Sequence, residues 1–547
     1  MRAPVSQHHD GPAVGSDARR AEAAFRPPRP GRTWGARLGT PTVALLAGFL
    51  VRMIGIGSRP LWYDEAFAAL YARLDPVRIV YGTVTPVAGA RAADVHPLLY
   101  YFLLHVWMRL AGYAPLALRF FSVVCGMLTV ALLGRLAAHF LRRPTGALVT
   151  WLAALNPFHV AYSQEARMYA LLGLAAVTAT WGLLRALEEG RVRWWLLYAG
   201  AAAWTLYAHN LGAFMLLALH VLALFRRPWR RRLPTLALAD AGMLVLFSPW
   251  LVGVLPGQLA FVGRGYWVAR PGPEVLLRAF LFPTLTFYEP APAWLLGLGL
   301  FVGLALHALG IPLMWRARSR AGWFLWLAWL PVLALYAVSQ LRPVYLERAL
   351  LPAALLALLP AGWLLGGSAE GRRAARGAAL PRPLRLGLGA LLVAACAGSL
   401  GVHYTYVGFP RPPFERVAAS LRAQLLPGDV VVHTSKLTYL PLLYYDPALP
   451  SRFLADPPGS AQDTLALPTQ QALGISASAT ITAAAQGAQR VWLVYFPRES
   501  EELRALGVAE HPVLAWLDAH MATVGEQRFA DLAVVLYERT APAEDGP

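Results

Sequence analysis

Asp64 and Glu65 stand side by side in "LWYDEAF", just past a long apolar run. Farther along, Glu165, Arg167 and Tyr169 occur in "SQEARMY". Glu165 and Tyr169 would share a face if that segment is helical. His96 opens "HPLLYYFLLHVWMRLAG", and His209 and Asn210 close "YAHN". Glu347 and Arg348 sit in "VYLER", at the mouth of another apolar run. A carboxylate held at a membrane surface is partly desolvated. Desolvation raises its pKa and strengthens it as a base. A guanidinium at a similar depth suits a phosphate, since its planar fork matches two oxygens at once. Proton abstraction beside a phosphate clamp is therefore the chemistry these residues offer. Blander readings stand next to it. Loop acids are commonly solvated, and a helix-end ion pair at Glu165 contributes little if exposed. A lone histidine is usually structural. Arg348 also fits an anchor that snorkels to the interface.

The elements that must position these residues are membrane segments. The 547-residue chain is 57% hydrophobic and only 14% charged, too apolar for a soluble core with a polar surface. Apolar runs lie near 39–57, 96–112, 116–140, 145–162, 168–187, 194–208, 211–225, 234–255, 293–315, 322–340, 349–366 and 386–405. The net charge of +19 is carried by arginine, with Lys436 the only lysine. The arginines fall in short clusters between the runs: Arg26 to Arg37, Arg142–Arg143, Arg185 to Arg193, Arg226 to Arg232, Arg316 to Arg320 and Arg372 to Arg385. That spacing orients spans and argues against a nucleic-acid partner.

Parity settles the segment 96–112. If it crosses the bilayer, the five clusters after it fall outside. If it lies in the interface, every cluster is cytoplasmic. At 17 residues, with His96, His105 and Arg109, it reads as a juxtamembrane helix, which leaves about eleven spans. The loop 58–115, "SQEARMY", "YAHN", the loop 256–292, "VYLER" and everything after 405 then share the outer side. Residues 1–38, rich in Arg, Pro, Gly and Ala, read as a disordered cytoplasmic tail. Residues 39–405 form the membrane domain. Residues 406–547 change character: "DVVVHTS", "RVWLVYF" and "LAVVLYE" read as buried strands. "PFERVAASLRAQL" and "HPVLAWLDAHM" read as amphipathic helices, so a small extracytoplasmic α/β domain is expected. Residues 446–488 read as mostly loop.

Cys125 and Cys396 lie in apolar segments and suggest neither a disulfide framework nor a zinc site. The scattered histidines give no three-ligand metal set. No cofactor is expected, although Asp64 and Glu165 are the pair a hard cation would use. No P-loop or dinucleotide fingerprint is present.

The ordered set "SRPLWYDEAFAA", "HPLLYYFLLHVWMRLAG", "LRFFSVVCGMLTVALLGRLA", "NPFHVAYSQEARMYALL" and "VYLERALLPAALLALLPAG" resembles the bacterial multi-spanning glycosyltransferases of family 39. These stand with the protein O-mannosyltransferases and the lipid A aminoarabinose transferase in the GT-C fold. The resemblance covers roughly residues 40–365. It implies a polytopic α-helical GT-C fold and a sugar donor on a polyprenyl phosphate. The site it implies lies at the outer face of the plasma (inner) membrane. Asp64 matches the key acid of the first outer loop, Glu65 its paired acid, Glu165 the second acidic motif and Arg348 the late arginine. Leu98 replaces the usual second proline of the "HPPLYY" segment, and "YAHN" replaces "YTHY".

On that resemblance the chain transfers a hexosyl or pentosyl group, mannosyl among them, with inversion, to a hydroxyl of a glycan, lipid or protein. The catalytic candidates are Asp64, Glu65 and Glu165. The substrate-binding candidates are His96, Arg167, Tyr169, His209 and Arg348. Two other classes are a transporter or flippase, for which Asp240 inside a span is the best residue, and a non-catalytic scaffold that presents the C-terminal domain.

Overall fold

The computed structural model describes residues 34–87, 96–262, 268–287, 289–367, 380–456 and 465–539. Most of the expected N-terminal tail, and the Arg372 end of the last arginine cluster, lie outside the described residues.

The chain opens with helices α1 (Trp34–Met53), α2 (Tyr63–Ala72), α3 (Pro76–Val84) and α4 (Leu99–Ala111). Asp75 caps α3 through the Val77 amide at 2.8 Å, and Pro76 fits its first position. Helix α4 has 13 residues, about 20 Å at 1.5 Å each, against a hydrocarbon core of about 30 Å. The bundle continues with α5 (Pro115–Phe140), α6 (Arg143–Leu155), α7 (Pro157–Ser163), α8 (Tyr169–Glu189), α9 (Val192–Ala208), α10 (Ala213–Phe225) and α11 (Leu233–Gly253). It closes with α12 (Ala293–Arg316), α13 (Ala321–Ser339), α14 (Leu351–Gly366) and α15 (Arg382–Thr405).

Seven helices among the described residues are long and apolar enough to cross a membrane. They include α5, α8, α12, α13 and α15, together with α11 and α14 extended by the short turns before them. Residues 41–53 and 210–225 are shorter apolar helices.

The run 145–162 is not one helix. Pro157 lacks the N–H that would bond back to Ala153, so the chain breaks there and Asn156 recaps it through the His159 amide at 2.9 Å. The carbonyls left over are taken by a buried arginine. Arg52 donates to Ala154 O at 2.7 Å and to Ala153 O at 3.3 Å. Gly126 lets α7 lie directly on α5, because a Cβ there would collide with Ser163 Oγ.

The arginine clusters collect at one end of the bundle. Arg320 pairs with Glu188 at 2.9 Å, Arg232 donates to Ala186 O at 2.8 Å, and Arg226 lies over Trp323. Arg119, Tyr169, His209 and Arg348 sit at the opposite ends of their helices.

After α15 the chain forms a six-stranded sheet of β1 (Val430–His433), β2 (Ser451–Leu454), β3 (Ala477–Ser478), β4 (Arg490–Tyr495), β5 (Ala522–Phe529) and β6 (Leu532–Glu538). The strand order is β3-β2-β1-β4-β6-β5, with the first four parallel and β6 antiparallel to β4 and β5. Val431 pairs with Trp492 in the β1–β4 register. Alternation splits the core by face. Val430, Val432 and Leu493 bury on one side, and Val431, Trp492 and Val494 on the other.

Helices α16 (Phe414–Gln424), α17 (Lys436–Tyr445) and α18 (Leu467–Leu473) flank the sheet. The expectation of mostly loop over 446–488 is corrected: β2, α18 and β3 lie there. Their runs of two to seven residues are too short for periodicity to show.

The sheet unit docks on the segment that carries α2 and α3. Tyr445 accepts from the Leu61 amide at 2.9 Å, Tyr444 donates to Tyr113 O, and Thr469 donates to Gly82 O at 2.8 Å. A Cβ on Gly82 would stand 2.5 Å from Tyr71 Oη and 2.8 Å from Ala472 Cβ, so only glycine fits this contact.

Candidate functional site

Asp64 and Glu65 occupy the first turn of α2, where the free N–H groups favour negative charge. Their side chains diverge. Asp64 Oδ2 accepts from Arg348 at 2.9 Å, and Arg167 Nε lies 4.0 Å from the same oxygen. Arg167 also donates to the Asp64 carbonyl at 3.3 Å and lies 3.4 Å from His96 Nε2.

Glu65 points the other way, into the protein. Arg119 donates to both of its oxygens at 2.7 Å, and the Ala166 amide donates to Oε1 at 2.9 Å. Glu65 and Arg119 have no exposed side-chain surface. The expectation that Glu65 acts as a second reacting acid beside Asp64 therefore meets a carboxylate already fully engaged. Arg119 also donates to the carbonyls of Ile56, Arg59 and Pro60, so one guanidinium fixes both the loop and the start of α2.

Glu165 and Arg167 lie in the turn between α7 and α8. Glu165 is completely buried, and neither of its oxygens has a hydrogen-bond partner among the described residues. Burial, with Glu65 and Asp64 nearby, pushes its carboxyl up to about 7 against the pull of Arg411 and Arg348.

Asp64 behaves oppositely to the expectation of a raised pKa. Burial opposes its ionisation, but Arg167, Arg348 and His96 together hold it below the usual aspartate range. The sequence rule considered desolvation alone, whereas the fold brings cations from two distant segments.

The remaining candidates close the ring. Arg348 comes from the short turn Glu347–Leu350 that leads into α14, and its guanidinium lies 5.3 Å from the Tyr169 ring centre. His209, at the end of α9, is 6.0 Å by ring centres from both His96 and Tyr169. Burial, and the positive groups around it, hold His209 well below the usual histidine range. Asp64, His96, Arg167, Tyr169, His209 and Arg348 are thus neighbours drawn from five segments.

A cavity of about 430 Å³ adjoins them. Trp62, Tyr162, Phe287, Tyr345, Arg348 and Phe409 are among its lining residues. Arg348 connects the cavity to Asp64. Among the described residues no group of three His, Cys, Asp or Glu side chains is placed to hold a metal.

Sequence reasoning missed Arg119 and Arg411. Arg119 carried a signal, an arginine inside an apolar run. Arg411 lies after the last span and carried none.

Residues 95–252 match the family profile described as dolichyl-phosphate-mannose-protein mannosyltransferase. A sequence search of curated proteins gives no match. Among solved structures the chain resembles ArnT from Cupriavidus metallidurans in the apo state, with a TM-score of 0.58 and 15% identity. The match covers 92% of this chain and 98% of that one. The same enzyme bound to undecaprenyl phosphate matches with a TM-score of 0.58 and 16% identity over the same shares. The shared architecture is the GT-C fold.

Proposed function

We propose that this GT-C-fold chain is a membrane glycosyltransferase that moves a sugar from a polyprenyl-phosphate donor to a hydroxyl acceptor, with inversion. The observation that carries the reading is the Asp64–Arg348 pair at the wall of the aromatic cavity. On this reading Asp64 is a base beside a phosphate clamp, Arg348. The ArnT likeness, one structure of which holds undecaprenyl phosphate, and the mannosyltransferase profile support the donor class.

In the resting site Arg348 keeps Asp64 ionised and weakly basic. A donor phosphate competes for Arg348, since two non-bridging phosphate oxygens can accept in parallel from the guanidinium fork. Losing that partner raises the affinity of Asp64 for a proton. The acceptor oxygen then attacks the anomeric carbon while its proton passes to Asp64. The bond from the anomeric carbon to the phosphate oxygen breaks through an oxocarbenium-like transition state, as at other glycosidic centres. Polyprenyl phosphate leaves with the electron pair. Arg348 and Arg167 stabilise its charge in a site of low dielectric. Glu165 orients the sugar by accepting from its hydroxyls, His96 and His209 line the approach, and Glu65 positions α2 through Arg119.

The membrane arrangement belongs to the same proposal. About eleven spans are assigned by adding α1, the α6–α7 pair, α9 and α10 to the seven long helices. The N-terminus is cytoplasmic, and residues 406–547 are an extracytoplasmic domain at the plasma (inner) membrane. The positive-inside rule supports this, because the arginine clusters gather at the end opposite Asp64.

The residue a transporter would need is already engaged. Asp240 accepts from Tyr198 at 2.8 Å and pairs with His220 at 2.9 Å inside the bundle.

The test is full-length protein in nanodiscs, offered a panel of polyprenyl-phosphate sugars. Consumption of one donor with release of polyprenyl phosphate is expected. Uptake of substrate across vesicles without donor cleavage would overturn the reading.

A further inference from the structure

The two neighbours of Glu165 are the ends of one chain of hydrogen bonds. On one side the Ala166 amide donates to Glu65, which Arg119 grips, and Arg119 Nη1 donates to Arg59 O at 2.8 Å. On the other side stands Gln164, which is buried. Its Nε2 donates to Arg52 O and Ile54 O, both at 2.8 Å, where α1 ends. Two carbonyls at that nitrogen fix the orientation of the amide. Its Oε1 faces His403 Nε2 at 3.0 Å, near the end of α15.

His403 continues the chain. Its Nδ1 lies 2.6 Å from Glu289 Oε1, in the segment before α12. Arg59 donates to the same oxygen at 3.2 Å, and its Nη1 lies 2.8 Å from His403 Nε2. Thr286 Oγ1 donates to Glu289 Oε2 at 2.8 Å. The His403 and Glu289 side chains are each 1% exposed. Arg59 closes the circuit, with its side chain at Glu289 and its carbonyl at the Arg119 fork. Among the described residues, α15 contributes none to the lining of the cavity.

A buried ion pair adds little net stability, because desolvation offsets its attraction, whereas a fully satisfied buried network fixes geometry. This network ends on the turn between α7 and α8. That turn carries Glu165 and places Arg167 4.0 Å from Asp64 Oδ2 and 3.3 Å from the Asp64 carbonyl.

We propose that His403 is a positioning residue of the transfer site: by bridging Glu289 and Gln164 it holds the turn that sets Glu165 and Arg167 against Asp64. The bridge uses a hydrogen on each ring nitrogen, and Glu289 is the counter-charge that the ring shares with Arg59. Helix α15 is thereby part of the site without touching the cavity. This rests on the reading of the site as a transferase, but its first test needs no turnover.

Hydrogen exchange is measured on full-length protein in nanodiscs at the amides of Ala166 and Arg167, which donate to Glu65 and to Glu165 O. In His403→Asn the amide nitrogen stands where Nδ1 stood, so Gln164 loses its partner. In His403→Gln it stands where Nε2 stood, and the partner is kept. Exchange should rise roughly tenfold or more in His403→Asn, with the interior of α8 unchanged, and stay within about threefold of wild type in His403→Gln. Unchanged exchange in His403→Asn overturns the proposal. So does an equal rise in His403→Gln, or a rise spread along α8, either of which would mark general loosening. If His403→Asn does not yield monodisperse protein, Gln164→Met breaks the bridge from the turn side. A rise confined to the turn then supports the bridge, and any other result overturns it. With the donor that wild type consumes, His403→Asn should lower kcat roughly tenfold or more and leave the donor KM within about twofold, since Arg348 lies outside the circuit. A raised KM with unchanged kcat overturns the positioning role. Absence of donor cleavage by wild-type protein would tell against the transferase reading, while the exchange result would stand by itself.

Discussion

Two neighbouring carboxylates meet opposite fates because the fold gives them different partners. Asp64 pairs with Arg348, which lines the cavity, whereas Glu65 is locked to Arg119 with no exposed surface on either side chain. Arg119→Met should therefore destabilise the protein by about 3–5 kcal/mol, because it leaves Glu65 buried and unpaired. Arg119→Met combined with Glu65→Leu should recover much of that loss in thermal denaturation. Equal losses in the single and double variants would contradict the pairing. Glu165 supplies a second prediction. Its folded-state pKa of about 7 lies above the ordinary 4.5. A raised carboxyl contributes stability that is full below about pH 4.5 and is lost as pH rises through about 7. Glu165→Gln stays neutral throughout. Its apparent Tm should match the wild type near pH 4 and exceed it near pH 8, and an offset independent of pH would refute the assignment. Transfer by the wild type should rise through pH 7 as Glu165 ionises, and Glu165→Gln should lack that limb. The sequence made Asp64, Glu165 and Arg348 legible as candidates because acids and arginines at span ends are unusual. It did not reveal that Asp64 sits below its normal pKa, since that depends on Arg348, 284 positions away.

At the scale of elements, the apolar runs were legible because a span is long and uniform, and the edges of α5, α8 and α12 follow them closely. The break at Pro157 was legible in chemistry but hidden by hydropathy, which reads 145–162 as continuous. The sheet was harder. Strand β5 is almost wholly exposed, so "ATVGEQRF" shows no alternation, and β2 has only four residues. The docking of α18 on α3 depends on Gly82. Gly82→Leu should separate the two. Hydrogen exchange at the amides of α2 and α3 should then rise by at least an order of magnitude, since their opening no longer requires undocking. Exchange unchanged from wild type would show that the contact does not hold the loop.

At the scale of the molecule, charge is the organising fact. The arginines of the clusters meet at one end, around Glu188, Trp323 and Ala186, and the arginines of the site meet at the other. The gathering of arginine at one end was legible because charge clustering is summed over the whole chain and tolerates local errors. Cys125 and Cys396 are buried, so labelling introduced cysteines has little background. Arg142→Cys should react only from the cytoplasmic side, and reaction from outside alone would overturn the eleven-span assignment. The central claim is that one outer-face site cleaves a polyprenyl-phosphate sugar with Asp64 as base. The most direct measurement is donor turnover by purified Asp64→Asn beside wild type. The account predicts a loss of roughly 10²–10⁴-fold with polyprenyl-phosphate binding retained through Arg348. Wild-type-like transfer by Asp64→Asn would contradict it.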